Sequence, residues 1–170
     1  TDAKYLNFEL QDISEFKLLI DKNKLSGLNV TIPYKESIIP FLDELSKEAK
    51  VIGAVNTIRF INEKLIGYNT DYIGFTNSIQ PLLEDKNKAI ILGDGGAAKA
   101  IKYALKKLGI EYKTVSRNTS FDYLDITNQI AGYYNIIINA TPLGSYPNTS
   151  DFPKIPYEYL NENYLLFDLI

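Results

Sequence analysis

Residues 89–100 read Ala89-Ile90-Ile91-Leu92-Gly93-Asp94-Gly95-Gly96-Ala97-Ala98-Lys99-Ala100. A short apolar run ends in a glycine turn that passes directly into an alanine-rich helical stretch. The pattern predicts a strand over 89–92, a helix over 97–108 closed by Gly109, and a second strand over 111–115, which together make a βαβ unit. Gly93-Asp94-Gly95-Gly96-Ala97-Ala98 fits G-x-G-x-x-A in the strand-to-helix setting that gives this motif meaning. Its glycines let backbone amides approach a pyrophosphate at the positive end of the helix, so Gly93, Asp94, Gly95, Gly96 and Ala97 are candidate dinucleotide-binding residues. The same turn also suits a doubly wound fold that binds an adenosylated methyl donor. Asp94, an awkward neighbour for phosphate, is expected to face solvent or to cap the helix.

The end of the second strand refines this reading. An NAD site usually has an acid there to hold the ribose diol, but Val115 is followed by Ser116, Arg117 and Asn118. A guanidinium fork with neutral donors on either side suits a 2′-phosphate, which favours NADP; the alternative is an ordinary surface arginine in a turn. Tyr103 and Lys107 form Y-x-x-x-K, the acid and orienter of short-chain reductases. They sit on the helix directly after the glycine loop, which is the wrong place for that role.

Upstream, Leu6, Phe8 and Leu10 alternate like a half-buried strand. Asp12 and Glu15 open a helix on Ile13, Phe16, Leu19 and Ile20. A strand over 28–32 follows, with Pro33 in the first position of the next helix, and Pro40 restarts a helix with Leu42, Leu45 and Ala49 on its inner face. Residues 55–61 and 65–68 flank an Asn62-Glu63-Lys64 turn as a hairpin, and a helix runs from about 72 to 79. The charged stretch around 81–88 reads as a linker. The expected organisation is therefore α/β: an N-terminal α/β substrate-binding domain over 1–80, then a Rossmann-like doubly wound NADP-binding domain over 89–170. Within the second domain, strands are expected at 135–138 and 165–170.

Composition removes several classes of function. With 18 basic and 21 acidic residues interspersed in 170, the net charge of −3 leaves no basic stripe for nucleic acid. The apolar runs fall well short of the ~20 residues that span a bilayer, and no charged-then-apolar leader opens the chain, so no membrane association and a cytoplasmic location are expected. There is no Cys and no His, which excludes thiolate chemistry, thiolate metal sites and imidazole bases. Proton transfer must then fall to Lys, Asp, Glu or Tyr. There is also no Met, so the true start is expected to lie upstream or to have been trimmed.

Polar residues gather where strands are expected to end: Thr31 to Lys35, Asn56-Thr57, Asn69-Thr70-Asp71 and Asn139-Ala140-Thr141-Pro142. Ligands of open α/β sheets bind at such ends, so these clusters could share one cleft. Singly, Thr31 and Asn56 also read as satisfied buried polar groups, and Asn69-Thr70-Asp71 as a helix cap. Lys35 is harder to explain structurally. In the first turn of a helix it would face the positive end of the dipole, about 0.3 to 1 kcal/mol in the wrong direction, so a compensating partner is expected.

Four stretches, Gly27-Leu28-Asn29-Val30-Thr31-Ile32-Pro33-Tyr34-Lys35, Ile52-Gly53-Ala54-Val55-Asn56-Thr57, Gly67-Tyr68-Asn69-Thr70-Asp71-Tyr72-Ile73-Gly74-Phe75 and Asn139-Ala140-Thr141-Pro142-Leu143-Gly144, follow one another in the order of the shikimate dehydrogenase signatures, and the chain resembles that family over nearly its whole length. The resemblance implies NADPH-dependent reduction of 3-dehydroshikimate to shikimate, on the route to chorismate and aromatic amino acids. It implies Lys35 and Asp71 as the catalytic pair, with Thr31 and Asn56 on the substrate. On the cofactor it implies Gly93 to Ala97, Ser116 to Asn118, Thr141 and the backbone near Leu169. Phe121 stands where the family often has a second arginine, so a weaker grip on the 2′-phosphate is expected. The family's opening strand with its serine-bearing loop, and its closing tyrosine and glutamine-bearing helix, have no counterpart in these 170 residues; alone they are expected to bind NADP but turn over poorly. A monomer or homodimer is expected. The rival readings are a quinate/shikimate dehydrogenase using both NAD and NADP, and a catalytically silent NADP-binding sensor.

Overall fold

Local chemistry sets most element boundaries in the computed structural model, which describes residues 4–116, 119 and 121–170. Asp12 accepts the Ser14 amide at 2.8 Å and opens a short turn that continues into α1 (Phe16–Lys22). Next come β1 (Gly27–Asn29), β2 (Glu44–Leu45) and α2 (Lys47–Ile52), the last capped by the Ser46 hydroxyl on the Ala49 amide at 3.1 Å. β3 (Thr57–Ile61) and β4 (Lys64–Tyr68) form the predicted hairpin. Its tight turn is Asn62-Glu63, both left-handed (φ 49° and 64°), and Lys64 already pairs with Ile61. α3 (Asp71–Ile79) follows. Beyond it come β5 (Lys88–Leu92), α4 (Gly96–Lys107), β6 (Glu111–Val115), α5 (Asn128–Tyr133), β7 (Ile136–Asn139) and β8 (Leu165–Asp168).

The strands form two sheets. The first has the order β1-β3-β4-β2, antiparallel except for the parallel β2–β4 pair. Phe16, Ile38, Ala49, Val55, Ile58 and Leu65 form its core. The second sheet, β6-β5-β7-β8, is wholly parallel. Alternation along its strands sends Ala89, Ile91, Ile136 and Ile138 to one cluster and Ile90, Leu92, Val115 and Ile137 to another. Both faces are thus covered, as a parallel sheet requires.

α3 follows the first sheet in sequence but packs on the second. Phe75 and Ile79 are buried with Ile101 and Leu105 of α4 against β5 and β7, and the Phe75 ring meets Phe167 of β8 edge-on at 5.2 Å. A smaller cluster of Ile52, Ala54 and Ala100, flanked by Tyr72 and Tyr103, closes the contact between the two halves. Tyr103 of the Y-x-x-x-K pair is therefore a packing residue, its ring 5.0 Å from that of Tyr72.

Several expectations are corrected. Leu6 to Leu10 form no strand: β1 is an edge strand, no described strand pairs with its outer side, and alternation without a ladder leaves Tyr5 and Leu6 exposed. The segment is instead tied by the Asn29 amide donating to the Tyr5 hydroxyl at 3.2 Å and the Tyr34 hydroxyl donating to the Leu10 carbonyl at 2.8 Å. The strand expected over 28–32 stops at Asn29. Pro33 follows a cis peptide and opens no helix; residues 32–38 are a series of turns. The helix expected from Pro40 is interrupted, because Asp43 bonds Leu65 through both its backbone amide (3.0 Å) and its carboxylate (2.7 Å), drawing Glu44 and Leu45 alongside β4. Leu42, Leu45 and Ala49 still face the core, from a connecting segment, β2 and α2 respectively.

Phe75→Ala is expected to lower the unfolding free energy by about 3 kcal/mol or more through cavity formation. The check is a lower urea midpoint at unchanged slope.

Candidate active site

Lys35 is positioned by backbone pairing rather than by a helix. The Val30 amide donates to Asn56 O at 2.8 Å, the Tyr34 amide to Thr31 O at 2.9 Å and the Val55 amide to Lys35 O at 2.7 Å, which fastens the turns after β1 to the segment leading into β3. The dipole penalty expected for Lys35 therefore does not arise, since no regular helix begins there. Its side chain does have a partner: Nζ lies 2.8 Å from Asp71 Oδ2, with the two side chains 17% and 33% exposed. The pair is shielded yet open to water.

Asp71 opens α3, where a carboxylate faces the favourable end of the dipole. Its other oxygen accepts Asn56 Nδ2 at 2.7 Å, and the same nitrogen reaches Thr70 Oγ1 at 2.9 Å, so both amide hydrogens of Asn56 are engaged. Asn56 Oδ1 in turn accepts the Thr70 amide at 2.8 Å. Thr31 is exposed, next in the chain to Val30, whose amide is bonded to Asn56 O. Burial, reinforced by the negative charge of Glu48, raises the neighbouring Tyr72 phenol above its ordinary value, so it stays protonated near neutral pH.

The glycine loop lies against this lysine. Gly93 has φ +107°, and a methyl group there would lie 3.0 Å from the Ala140 carbonyl oxygen. A methyl group on Gly96 would lie 3.0 Å from Lys35 Cβ and 3.5 Å from Ala54 Cβ, whereas one on Gly95 would meet nothing within 4 Å. One turn further along, Lys99 Nζ pairs with Glu36 at 2.6 Å, a second link across the same boundary. Asp94 takes neither expected role: it is half-buried and pairs with Lys102 of α4 at 2.5 Å, while Gly95 occupies the capping position of α4 without a side-chain bond. The first-turn amides of α4, including that of Ala97, have no intrahelical partners. Glycines that admit close backbone approach and unpaired amides at a helix start make a donor set that fits a pyrophosphate.

The ends of β7 and β8 complete the rim. Asn139, buried, accepts the Thr141 hydroxyl (2.6 Å) and amide (3.1 Å) and donates to Asp168 Oδ1 at 3.0 Å; its carbonyl accepts the Leu169 amide at 3.2 Å. Thr141 and Leu169 thus stand on neighbouring strand ends. A cleft of ≈ 390 Å³ opens beside them, lined by Asn139, Asp151, Tyr157 and Asp168 among others, and neither Lys35 nor Asp71 borders it. Ser116 directly follows β6, its amide held by Thr119 Oγ1 at 3.0 Å. Arg117 and Asn118 lie outside the described residues. Lys113, 4.0 Å above the ring, packs on Phe121.

Sequence reasoning placed Asn69 and Asn139 in polar clusters without giving them site roles, and both are buried. An asparagine closing a strand just before a helix or a functional loop is the signal that marks them.

A family model described as "Shikimate dehydrogenase substrate binding domain" matches residues 1–58. NADP(+)-dependent shikimate dehydrogenases of Clostridium botulinum and Staphylococcus haemolyticus are each 39% identical, over 98% and 97% of this chain and 69% and 66% of their own lengths. Shikimate dehydrogenase 1 of Peptoclostridium difficile superposes with TM-score 0.82 at 39% identity, over 97% of this chain and 64% of that one. The Thermus thermophilus enzyme in complex with NADP(H) and shikimate gives TM-score 0.78 at 29% identity, over 96% and 65%. The chain thus spans about two thirds of the length of these relatives, and with such identity carried through both sheets it belongs to the shikimate dehydrogenase family.

Proposed function

We propose that this chain carries the catalytic centre of an NADPH-dependent reduction of 3-dehydroshikimate to shikimate. The observation that carries the reading is the Lys35–Asp71 pair, 2.8 Å apart and placed directly against the glycine loop. In this reading residues 1–80 serve the substrate and residues 89–170 the nucleotide, joined through 81–88. The Clostridium botulinum and Staphylococcus haemolyticus relatives are NADP(+) enzymes, and one solved relative holds NADP(H) and shikimate together.

Gly93 to Ala97 would hold the pyrophosphate through backbone amides, Ser116 to Asn118 the adenosine ribose and its 2′-phosphate, and Thr141 with the Leu169 backbone the nicotinamide end. When bound, NADPH supplies the hydride for carbonyl reduction. The chain's own residues manage the charge that develops on oxygen. The Lys35 ammonium stabilises the growing alkoxide and gives it a proton, then recovers one from water that reaches its partly exposed side chain. Asp71 holds Lys35 by one oxygen and is held by Asn56 on the other, and so orients the lysine and a substrate hydroxyl. Asn56 contacts substrate by exchanging its bond to Thr70 for a substrate hydroxyl, with Thr31 beside it.

Lys35→Ala in the intact protein is expected to lower kcat by about 10²- to 10⁴-fold, with NADPH affinity nearly unchanged. Steady-state kinetics alongside fluorescence titration of NADPH measure the two separately, and a kcat near that of the parent would sink the assignment. Oxidation of shikimate and quinate by the intact protein, each with NADP and NAD, should be fastest with shikimate and NADP. NADPH binding without any turnover would instead favour a sensor.

A further inference from the structure

We propose that Asn69 is a positioning residue that sets the spacing of the Lys35–Asp71 pair, an inference that rests on the function proposed above. Asn69 is 3% exposed and bridges two backbone segments. Its Nδ2 donates to Ala54 O at 3.0 Å. Its Oδ1 accepts the amides of Asp71 at 3.1 Å and Tyr72 at 3.4 Å. The next amide after Ala54 is that of Val55, which donates to Lys35 O at 2.7 Å. A continuous path therefore runs from the Lys35 backbone through Val55 and Ala54 to the Asn69 side chain, and from there to the Asp71 backbone.

The path makes a specific demand on residue type. One end of the side chain must donate to a carbonyl and the other must accept from the first turn of a helix, and in this buried position an unmade bond on either side is costly. A primary amide on a one-carbon stem meets both needs. A carboxylate would accept from Asp71 and Tyr72 and suit the start of α3, but it could not donate to Ala54. Ala54 also lies under Gly96, since a methyl group there would come within 3.5 Å of its Cβ. The backbone held by Asn69 is thus the surface against which the glycine loop and Lys35 meet. Capping of α3 alone would call for no such donor.

Asn69→Asp and Asn69→Ala in the intact protein separate the two functions. Asn69→Asp keeps the cap and loses the bridge, whereas Asn69→Ala loses both; each leaves the buried Ala54 carbonyl without its donor, so both should lower the melting temperature, and the kinetics are read well below it. In each variant kcat is expected to fall by about tenfold or more, because small misplacements of reacting groups are costly, while the Kd for NADPH holds within about twofold. A second readout needs no turnover: competitive acylation with acetic anhydride, followed by peptide mass spectrometry. With its carboxylate partner displaced, Lys35 should label about threefold faster relative to Lys64, whose ion pair with Glu44 lies elsewhere in the first sheet. Parent-like kcat and labelling in both variants would overturn the proposal, and so would a joint loss of melting temperature, NADPH binding and labelling selectivity, which marks a merely structural residue. If the intact protein turns over no 3-dehydroshikimate, the functional reading fails, and the labelling ratio alone decides the role of Asn69.

Discussion

The burial of α3 against the second sheet is the constraint on which the rest of the structure depends. A helix that begins just past the end of an inner strand of one sheet and buries Phe75 and Ile79 beneath another can move with neither sheet alone. Its first residue carries the carboxylate that holds Lys35, so the packing energy of a hydrophobic core fixes the location of a polar pair at its far end. The cluster of Ile52, Ala54 and Ala100 works the same way from the other side, since the small Ala54 and Ala100 let α4 and its glycine loop approach the backbone behind Lys35.

Electrostatics then acts on groups already placed. Asp71 gains from the helix start and from Asn56, Lys35 gains from Asp71, and the pair remains open enough to exchange protons with water. The exposed Lys99–Glu36 contact adds little stability by comparison, though it spans the same boundary. Apolar packing sets distances here, and charge decides what those distances can do.

Much of this was legible in the residues. β6 keeps its predicted limits, and α4 and the hairpin theirs within a residue or two, because the signals are local: a glycine stop, an alternating run, a polar Asn62-Glu63-Lys64 turn whose last residue proves to belong to β4. β2 was not legible, because two residues become a strand only when Asp43 captures Leu65 across the sheet. The alternation of Leu6 to Leu10 misled for the converse reason, periodicity without a ladder. Lys35 was singled out by a dipole argument whose helix does not exist; it was the resemblance to a family that paired it with Asp71, and the structure supplies a different local reason for its place. The bridging geometry of Asn69 could not be read from spacing, because its donor side points to a carbonyl fifteen residues away in sequence.

The glycines of the loop differ in what forbids a side chain. At Gly93 the obstacles are backbone conformation and the Ala140 carbonyl, and at Gly96 it is the flank of Lys35, so both positions are closed by the folded chain itself. Gly95 has open space around it: among the described residues nothing lies within 4 Å of a methyl group placed there. Natural variation across such loops should therefore be partitioned: descendants that lose nucleotide binding can drift freely at position 95 yet remain confined at 93 and 96. The distribution of side chains over those three positions then becomes a record of whether a lineage still uses the ligand or merely keeps the fold.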